Sequence, residues 1–544
     1  MDSGQIIEFR IEDMLDDGRA FGRCEGLAVF VSGGCSAEDG KVFAGAVPGD
    51  LVRAEIIKEK KNSAEAVLQE ILEESKERAE SACPYFAECG GCALQEMSYE
   101  AQCELKAGQV RAKLTRLGGL ENPKVRDCIG AKTLKYYRNK AVFAVGPHGE
   151  VGFKKARSNF VLDIDDCMLQ SDAAMVCADA LRVFLKEHGA KNLGIGQMTV
   201  KTAFGTGEVM VVFEEAEDTG GRYKKGKGKK KSSGKFEIPD VEVLIGMLDD
   251  GVRSLNHTDD AAYGEVVASS IEEGGTDVSF GEFWSLESVA LINKGKCHII
   301  AGKPTITDEF KRADGRTVRY EIGPQSFFQV NPEQMAKLYD AAAEYADLKG
   351  GETVLDLYCG AGTIGIWLLD ELRGRDEEAF ERTRIIGIES VKPAVIDANR
   401  NSVINNMVNT RYFAGRAEEE LPGMMGLAEL WKWNEVNERV KREPEIRIGQ
   451  AGSNAEHTDE IAADKVDVVI LDPPRAGCDE ALLSAVAAAQ PDRIVYVSCD
   501  PGTLARDTKY LTANGYEFIE ATPVDQFPWT SHVECVALMS KANT

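Results

Sequence analysis

The stretch Val354-Leu-Asp-Leu-Tyr-Cys-Gly-Ala-Gly-Thr-Ile-Gly365 decides the fold. A short apolar run breaks into glycines at 360, 362 and 365, the pattern of a strand that turns sharply into a helix and lets its backbone approach a ligand. The next apolar run ends in Glu389, whose carboxylate can accept hydrogen bonds from two ribose hydroxyls. From about residue 346 onward, apolar runs at Thr353–Leu357, Arg384–Ile388, Val466–Leu471, Arg493–Val497 and Val533–Met539 alternate with helical stretches. That alternation predicts a parallel sheet covered on both faces, a doubly wound α/β (Rossmann-like) domain over 326–544.

Dehydrogenases share the glycine pattern, but the acidic Asp356 inside the strand and Tyr358-Cys-Gly-Ala-Gly directly after it resemble the S-adenosylmethionine loop of class I methyltransferases. Further on, Val466-Asp-Val-Val-Ile-Leu-Asp-Pro-Pro-Arg475 sets Asp472 at the carboxyl end of a strand, where ligands of open α/β sheets bind. Asp-Pro-Pro resembles a segment of amino methyltransferases in which an aromatic residue follows and stacks on the target base. Here Arg475 takes that place, which argues against methylation of an exocyclic amine. In Ile494-Val-Tyr-Val-Ser-Cys-Asp-Pro-Gly-Thr-Leu-Ala-Arg506, Cys499 stands where an apolar strand breaks into a turn. A thiol fits a pyrimidine target: carbon 5 is a poor nucleophile until a thiolate adds at carbon 6 and moves electron density to it. A base must then remove the carbon-5 proton. In Trp529-Thr-Ser-His-Val-Glu-Cys535, strand alternation puts His532 and Glu534 on one side, with Glu534 the candidate base.

Five ordered segments carry a resemblance that spans nearly the whole chain: Ile322-Gly-Pro-Gln-Ser-Phe-Phe-Gln-Val-Asn331, Asp356 to Gly362, Leu471-Asp-Pro-Pro-Arg475, Val497-Ser-Cys-Asp-Pro501, and Asp525-Gln-Phe-Pro-Trp-Thr-Ser-His-Val-Glu534. They resemble the RNA uracil-5-methyltransferases of the RlmD/TrmA type. The resemblance implies that Gln329, Tyr358, Gly360, Gly362, Thr363 and Glu389 contact S-adenosylmethionine, and that Asp472 sits between donor and uracil. It further implies Cys499 as nucleophile and Glu534 as base. Thr363 stands where some relatives have asparagine. The expected reaction is methylation of carbon 5 of one uridine in a structured RNA, flipped or unstacked for access to both ring faces. The resemblance favours 23S ribosomal RNA over transfer RNA. An amino methyltransferase with a structural Cys499, or an RNA-binding protein without activity, are the rival readings.

Residues 1–75 alternate short apolar runs with glycine and acidic turns: Ile6–Ile11, Leu27–Val31, Val42–Val47, Leu51–Ile57 and Ala66–Ile71. Five such strands predict a small closed barrel, and Gly26-Leu-Ala-Val-Phe-Val-Ser32 with Val47-Pro-Gly-Asp-Leu-Val-Arg-Ala54 resembles a TRAM domain, an OB-type RNA-binding barrel. Next come Cys83-Pro-Tyr-Phe-Ala-Glu-Cys89-Gly-Gly-Cys92 and a helix over Ser98–Leu117, opening a central α+β domain over 76–325 with a fourth cysteine, Cys167. Three close cysteines and one distant can hold zinc or an iron-sulfur cubane, and spacing does not choose. The family resemblance implies a [4Fe-4S] cluster. Two polar insertions are expected, one around the eight basic residues of Arg222–Lys235 and one near 425–465.

At 544 residues with no apolar run of about 18, the chain reads as a multidomain cytoplasmic protein with no membrane partner, expected to be a monomer. Fourteen cysteines in that compartment point to ligands and catalysts rather than disulfides. The net charge of -26 means that any RNA must be met by local basic patches.

Overall fold

The computed structural model describes residues 3–15, 17–35, 42–43, 45–188, 193–216, 236–257, 283–419 and 465–542. The basic run Arg222–Lys235 and all but the last residue of the expected 425–465 insertion lie outside the described residues.

Five strands close the N-terminal barrel: β1 (Ile6–Met14), β2 (Ala20–Cys24), β3 (Leu27–Ser32), β4 (Leu51–Lys60) and β5 (Ser63–Glu73), in the order β1-β2-β3-β5-β4. Alternate residues point inward, so that Ile7, Phe9, Val29, Val52, Ile56 and Leu68 form one core. One strand was misplaced by the sequence pattern. Of Val42–Val47 only Val42–Phe43 pairs, with Gly34–Cys35 outside the barrel, and Ala20–Cys24 takes its place. The missed signal was the two-residue turn Glu25-Gly26, both at positive φ (50° and 82°), which folds β2 onto β3 as a hairpin.

Beyond the cysteine loop, Ser98 accepts a hydrogen bond from the Ala101 amide and starts helix α1 (Tyr99–Arg116). A central seven-stranded sheet follows: β6 (Lys140–Val145), β7 (Val151–Lys154), β8 (Val161–Asp163), β9 (Ile195–Ala203), β10 (Glu208–Glu215), β11 (Ser285–Asn293) and β12 (Lys296–Gly302), in the order β8-β7-β6-β9-β10-β11-β12. Helices α2 (Asp172–Glu187) and α3 (Val241–Ser254) supply Leu181, Phe184, Leu244 and Leu248 to the core on one face. On the other face Val142 remains 40% exposed.

The C-terminal sheet comprises β15 (Thr353–Leu357), β16 (Arg384–Glu389), β17 (Thr410–Ala414), β18 (Val468–Leu471), β19 (Arg493–Ser498), β20 (Tyr516–Val524) and β21 (Glu534–Lys541), ordered β17-β16-β15-β18-β19-β21-β20. Ahead of it, the hairpin β13 (Ile306–Lys311) and β14 (Thr317–Ile322) packs into the same core through Phe310 and Tyr320. The first five strands of the sheet are parallel, as expected, but β21 runs antiparallel between β19 and β20. Strand β20 escaped the sequence pattern because Pro523 and alternating polar residues argue against a strand, and it sits at the sheet edge, where proline is tolerated.

Helix α1 leaves the cysteine loop and packs on this distant sheet, contributing Val110 and Leu114 to the core beside Leu504 and Ala521. Lys106 of α1 has no exposed side-chain surface, nor has Asp525 just after β20, and the two meet at 2.5 Å. Lys106 also donates to the Phe527 carbonyl (3.2 Å), and the Tyr99 hydroxyl donates to Asp525 (2.9 Å). A buried charge left alone is far costlier than a buried pair. Lys106→Met or Asp525→Asn is therefore expected to lower the unfolding free energy by about 3–5 kcal/mol in urea titrations, against within about 0.5 kcal/mol for an exposed control such as Lys349→Ala.

Candidate active site

Gln329 apart, the candidate residues of the C-terminal domain lie at or beside the carboxyl ends of the parallel strands. Tyr358 follows β15 with φ 62°, a left-handed backbone that a tyrosine adopts only under constraint, and Gly360 and Gly362 continue the turn at 53° and 74°. A Cβ on Gly362 would lie 2.7 Å from the Tyr412 ring, so only glycine fits there. Helix α5 (Thr363–Arg375) begins at once. The Thr363 hydroxyl is already engaged by the Tyr339 hydroxyl (2.8 Å) from helix α4 (Pro332–Ala346). At the end of β16, Glu389 accepts hydrogen bonds from the amides of Gly360 (3.2 Å) and Val391 (2.7 Å), tying the two ligand loops together.

Asp472 follows β18, its amide donating to the Leu357 carbonyl of β15. Cys499 follows β19, one residue before Asp500, which caps helix α6 (Pro501–Ala513) by accepting from the amides of Gly502 and Thr503. In the ladder between β19 and β21, Ser498 pairs with Cys535, so the next residues along, Cys499 and Glu534, emerge side by side. The strand expected to include His532 begins only at Glu534: His532 lies in the preceding loop, edge-on to Phe527 at 6.2 Å, and does not share a strand face with Glu534.

Electrostatics make this one site. Asp356 and Glu534 are buried and Asp472 half-buried; loss of water, with repulsion from Asp472 on the first two and from Glu389 on Asp472, pushes Asp356, Asp472 and Glu534 up to about 8, about 7 and about 8. Neither oxygen of Asp356 has a hydrogen-bond partner of normal geometry. Burial, then Glu534 and Asp472, raise the Cys499 thiol to about 11, while Arg475 opposes them. Arg475, noticed in the sequence only as a departure from an aromatic pattern, is the cation acting on both Cys499 and Glu534. A cluster of buried acids short of positive charge suits a cationic ligand such as a sulfonium carrying an α-ammonium group.

Gln329 is buried, and its segment is held from the central sheet by residues no motif announced. The Asn139 side-chain amide donates to the Gln329 carbonyl (2.9 Å). The Lys201 ammonium donates to the carbonyls of Gly323 (2.7 Å) and Ser326 (2.8 Å). Both anchors lie more than a hundred residues upstream in an unremarkable strand pattern, so the sequence carried no signal for them.

The four candidate metal ligands Cys83, Cys89, Cys92 and Cys167 line a single pocket. Two donors at the same pocket are buried without a hydrogen bond of normal geometry: Arg138 Nε, and Gln95 Nε2, which lies beside the Cys92 thiol. Among the described residues no three His, Cys, Asp or Glu side chains are gathered tightly enough to hold one metal ion. Four thiols and two spare N–H donors around one space suit a polynuclear sulfide cluster, which accepts such donors at its sulfurs, better than a single zinc with sulfurs at about 2.3 Å.

A profile of the tRNA (uracil-5-)-methyltransferase family matches residues 285–437 and 457–542. An RNA methyltransferase of Halalkalibacterium halodurans is 31% identical over 100% of this chain and 98% of its own length. Another, from Caldanaerobacter subterraneus subsp. tengcongensis, is 35% identical over 99% and 98%. The chain belongs to the RNA (uracil-5-)-methyltransferase family. The fold of this methyltransferase is shared with the tRNA (uracil-54, C5)-methyltransferase of Pyrococcus abyssi, crystallised with S-adenosyl-L-homocysteine: TM-score 0.59, 24% identity, covering 98% of this chain and 100% of that one. As a member of that family the enzyme is an S-adenosylmethionine-dependent methyltransferase.

Since folding raises the pKa of Asp356, Asp472 and Glu534, the ligand-free methyltransferase loses stability as pH rises from the ordinary carboxylate range through 7–8. A bound cation reverses the penalty. Calorimetry between pH 6 and 8.5 is expected to show affinity for S-adenosylmethionine rising with pH more steeply than affinity for S-adenosylhomocysteine, which lacks the sulfonium charge; parallel curves would contradict this electrostatic account.

Proposed function

We propose that this enzyme methylates carbon 5 of one uridine in a structured RNA through a covalent adduct between Cys499 and uracil carbon 6. The observation that carries the reading is the ladder register bringing Cys499 level with Glu534, beside the carboxylate of Asp472. The Cys499 thiolate adds to carbon 6, breaking the ring double bond and placing the electron pair on carbon 5 and the 4-oxygen as an enolate. Gln329, Tyr358, Gly360, Gly362, Thr363 and Glu389 would hold S-adenosylmethionine, which would supply the methyl group to carbon 5 and depart as S-adenosylhomocysteine. Glu534, made basic by burial, removes the carbon-5 proton, the double bond reforms and the thiolate leaves. Arg475 offsets the acids that disfavour the thiolate.

The barrel is proposed to be a TRAM-type RNA-binding unit, and Cys83, Cys89, Cys92 and Cys167 to hold a [4Fe-4S] cluster in a cytoplasmic monomer. Supporting the cluster is the donor set just described. Zinc is the competing occupant, so anaerobic preparations are expected to contain iron and sulfide at about four each per chain. Zinc without sulfide would overturn the assignment.

For substrate we propose 23S ribosomal RNA, by the family resemblance of the cysteine motif and barrel together. Transfer RNA is the second reading, favoured by the name of the matching family profile and by the Pyrococcus abyssi enzyme. Nucleoside mass spectrometry of both RNA classes from a deletion strain, before and after treatment with enzyme and S-adenosylmethionine, separates them: 5-methyluridine should be missing from one class and restored there. Cys499→Ala is expected to abolish turnover while sparing donor binding. Glu534→Gln should accumulate a methylated RNA–protein adduct stable to denaturing electrophoresis, and a freely turning over Glu534→Gln enzyme would remove the assigned base.

A further inference from the structure

Resting on the reading that the substrate is RNA, we propose that the part of the central sheet left open over β6, β7 and β9 is a single-strand RNA groove, seating RNA that flanks the target uridine. The groove has a volume of about 610 Å³ and runs over β6, β7 and β9, with Val142, Phe153, Lys154, Arg157 and Gln197 among its walls. Helices α2 and α3 cover the opposite face of the sheet; on this face Met210, Val212 and Ala290 of β10 and β11 pack into the C-terminal core, and among the described residues the part over β6, β7 and β9 is left open.

Three features fit a polynucleotide. Val151-Gly-Phe-Lys-Lys-Ala-Arg-Ser-Asn-Phe160 holds three cations and no acid, in a chain of net charge -26. Lys155 is paired with Glu88, but Lys154 has no acidic partner among the described residues, and Arg157 reaches only the Ser32 hydroxyl of the barrel (3.2 Å). Arg157 also takes a left-handed backbone, φ 57°, which a non-glycine residue holds only where the surroundings impose it. Next to the groove residue Asn159, Phe160 is 77% exposed, the highest value for any large apolar side chain among the described residues, and its carbonyl accepts from the Lys155 amide. An exposed aromatic ring beside a run of cations offers a stacking platform for a base and charge for the neighbouring phosphates. An acidic peptide would use the cations but leave the ring without a partner.

The groove is also connected to the site. Gly90 and Gly91 form one wall, with the Gly90 amide donating to the Lys154 carbonyl (3.2 Å) and the Ala156 amide to the Glu88 carbonyl (2.9 Å). Two and three residues further on, within about 11 Å of chain, the amides of Ala93 and Leu94 donate to the Trp529 carbonyl (2.9 and 3.0 Å), on the loop that leads to Glu534. RNA seated against Gly91 therefore approaches the active-site loop from the cysteine side.

The test is equilibrium binding of the full-length protein to in vitro transcribed 23S ribosomal RNA and to bulk transfer RNA across a salt series, for wild type, K154A/R157A, F160A and the control K541A at the far end of β21. K154A/R157A is expected to weaken binding of the substrate RNA at least about tenfold and to reduce the slope of log affinity against log salt by about 1.4, the value for two single-strand phosphates. F160A should weaken binding about fivefold or more with the slope unchanged, as loss of one stacked base does. S-adenosylmethionine affinity and thermal stability should stay at wild-type values in all three variants. Wild-type affinity and slope in K154A/R157A and F160A would overturn the groove while leaving RNA as substrate. Failure of the wild type to bind either RNA would overturn the RNA reading and the groove with it, and wild-type capture of polyglutamate instead, lost in K154A/R157A, would replace RNA with an acidic protein partner.

Discussion

A lysine and an aspartate with no exposed side-chain surface, Lys106 and Asp525, are the contact on which the rest of the molecule depends. Neither charge can be buried without the other, so α1 must dock on the C-terminal sheet, 419 residues away from its partner in sequence. Docking α1 delivers its neighbours. Gln102 accepts from the Trp529 amide, Ala93 and Leu94 donate to the Trp529 carbonyl, the Tyr137 hydroxyl donates to the Pro528 carbonyl, and the Trp529 indole donates to the Leu134 carbonyl. Trp529 is held at φ 70° by these contacts, and β21 starts five residues later with Glu534. The cysteine-lined pocket, through Arg138 over the Phe527 ring, thereby backs the loop that leads to Glu534.

The second constraint is electrostatic. Burying Asp356, Asp472 and Glu534 together costs stability in the empty enzyme, and Arg475 offsets only part of it. The same arrangement favours a cationic donor and keeps a carboxyl basic enough to act near neutral pH. Cys499 shares the bias: burial first, and then the acids around it, hold its thiol protonated, so its proposed nucleophilicity depends on charge arriving with the ligands rather than on the resting site. Stability is surrendered where the chemistry needs unmatched charge.

Much of this was legible in the residues. The glycine turn, the strands leading into it and the positions of Asp472 and Cys499 at strand ends follow from local patterns, because a buried parallel strand and its ligand loop are specified by consecutive residues. Local pattern failed where pairing is decided elsewhere. Strand β2 is stabilised by its hairpin turn and not by its own apolar content, β20 by the edge it occupies, and the start of β21 by the loop clamped ahead of it. Asn139 and Lys201 were invisible for the same reason: their partners are carbonyls of a segment more than 120 residues on, and a carbonyl leaves no mark in sequence.

By itself, then, the sequence determined the fold class and the family and singled out the residues proposed to react, because each is written in short runs whose chemistry is local. Only the tertiary structure decided that Cys499 and Glu534 stand side by side, that Arg475 faces both, and that the four cysteines share one pocket behind the active-site loop. Those relations depend on ladder register and on a buried ion pair between distant residues. Both are settled by burial free energy summed over the whole molecule, which no single segment encodes.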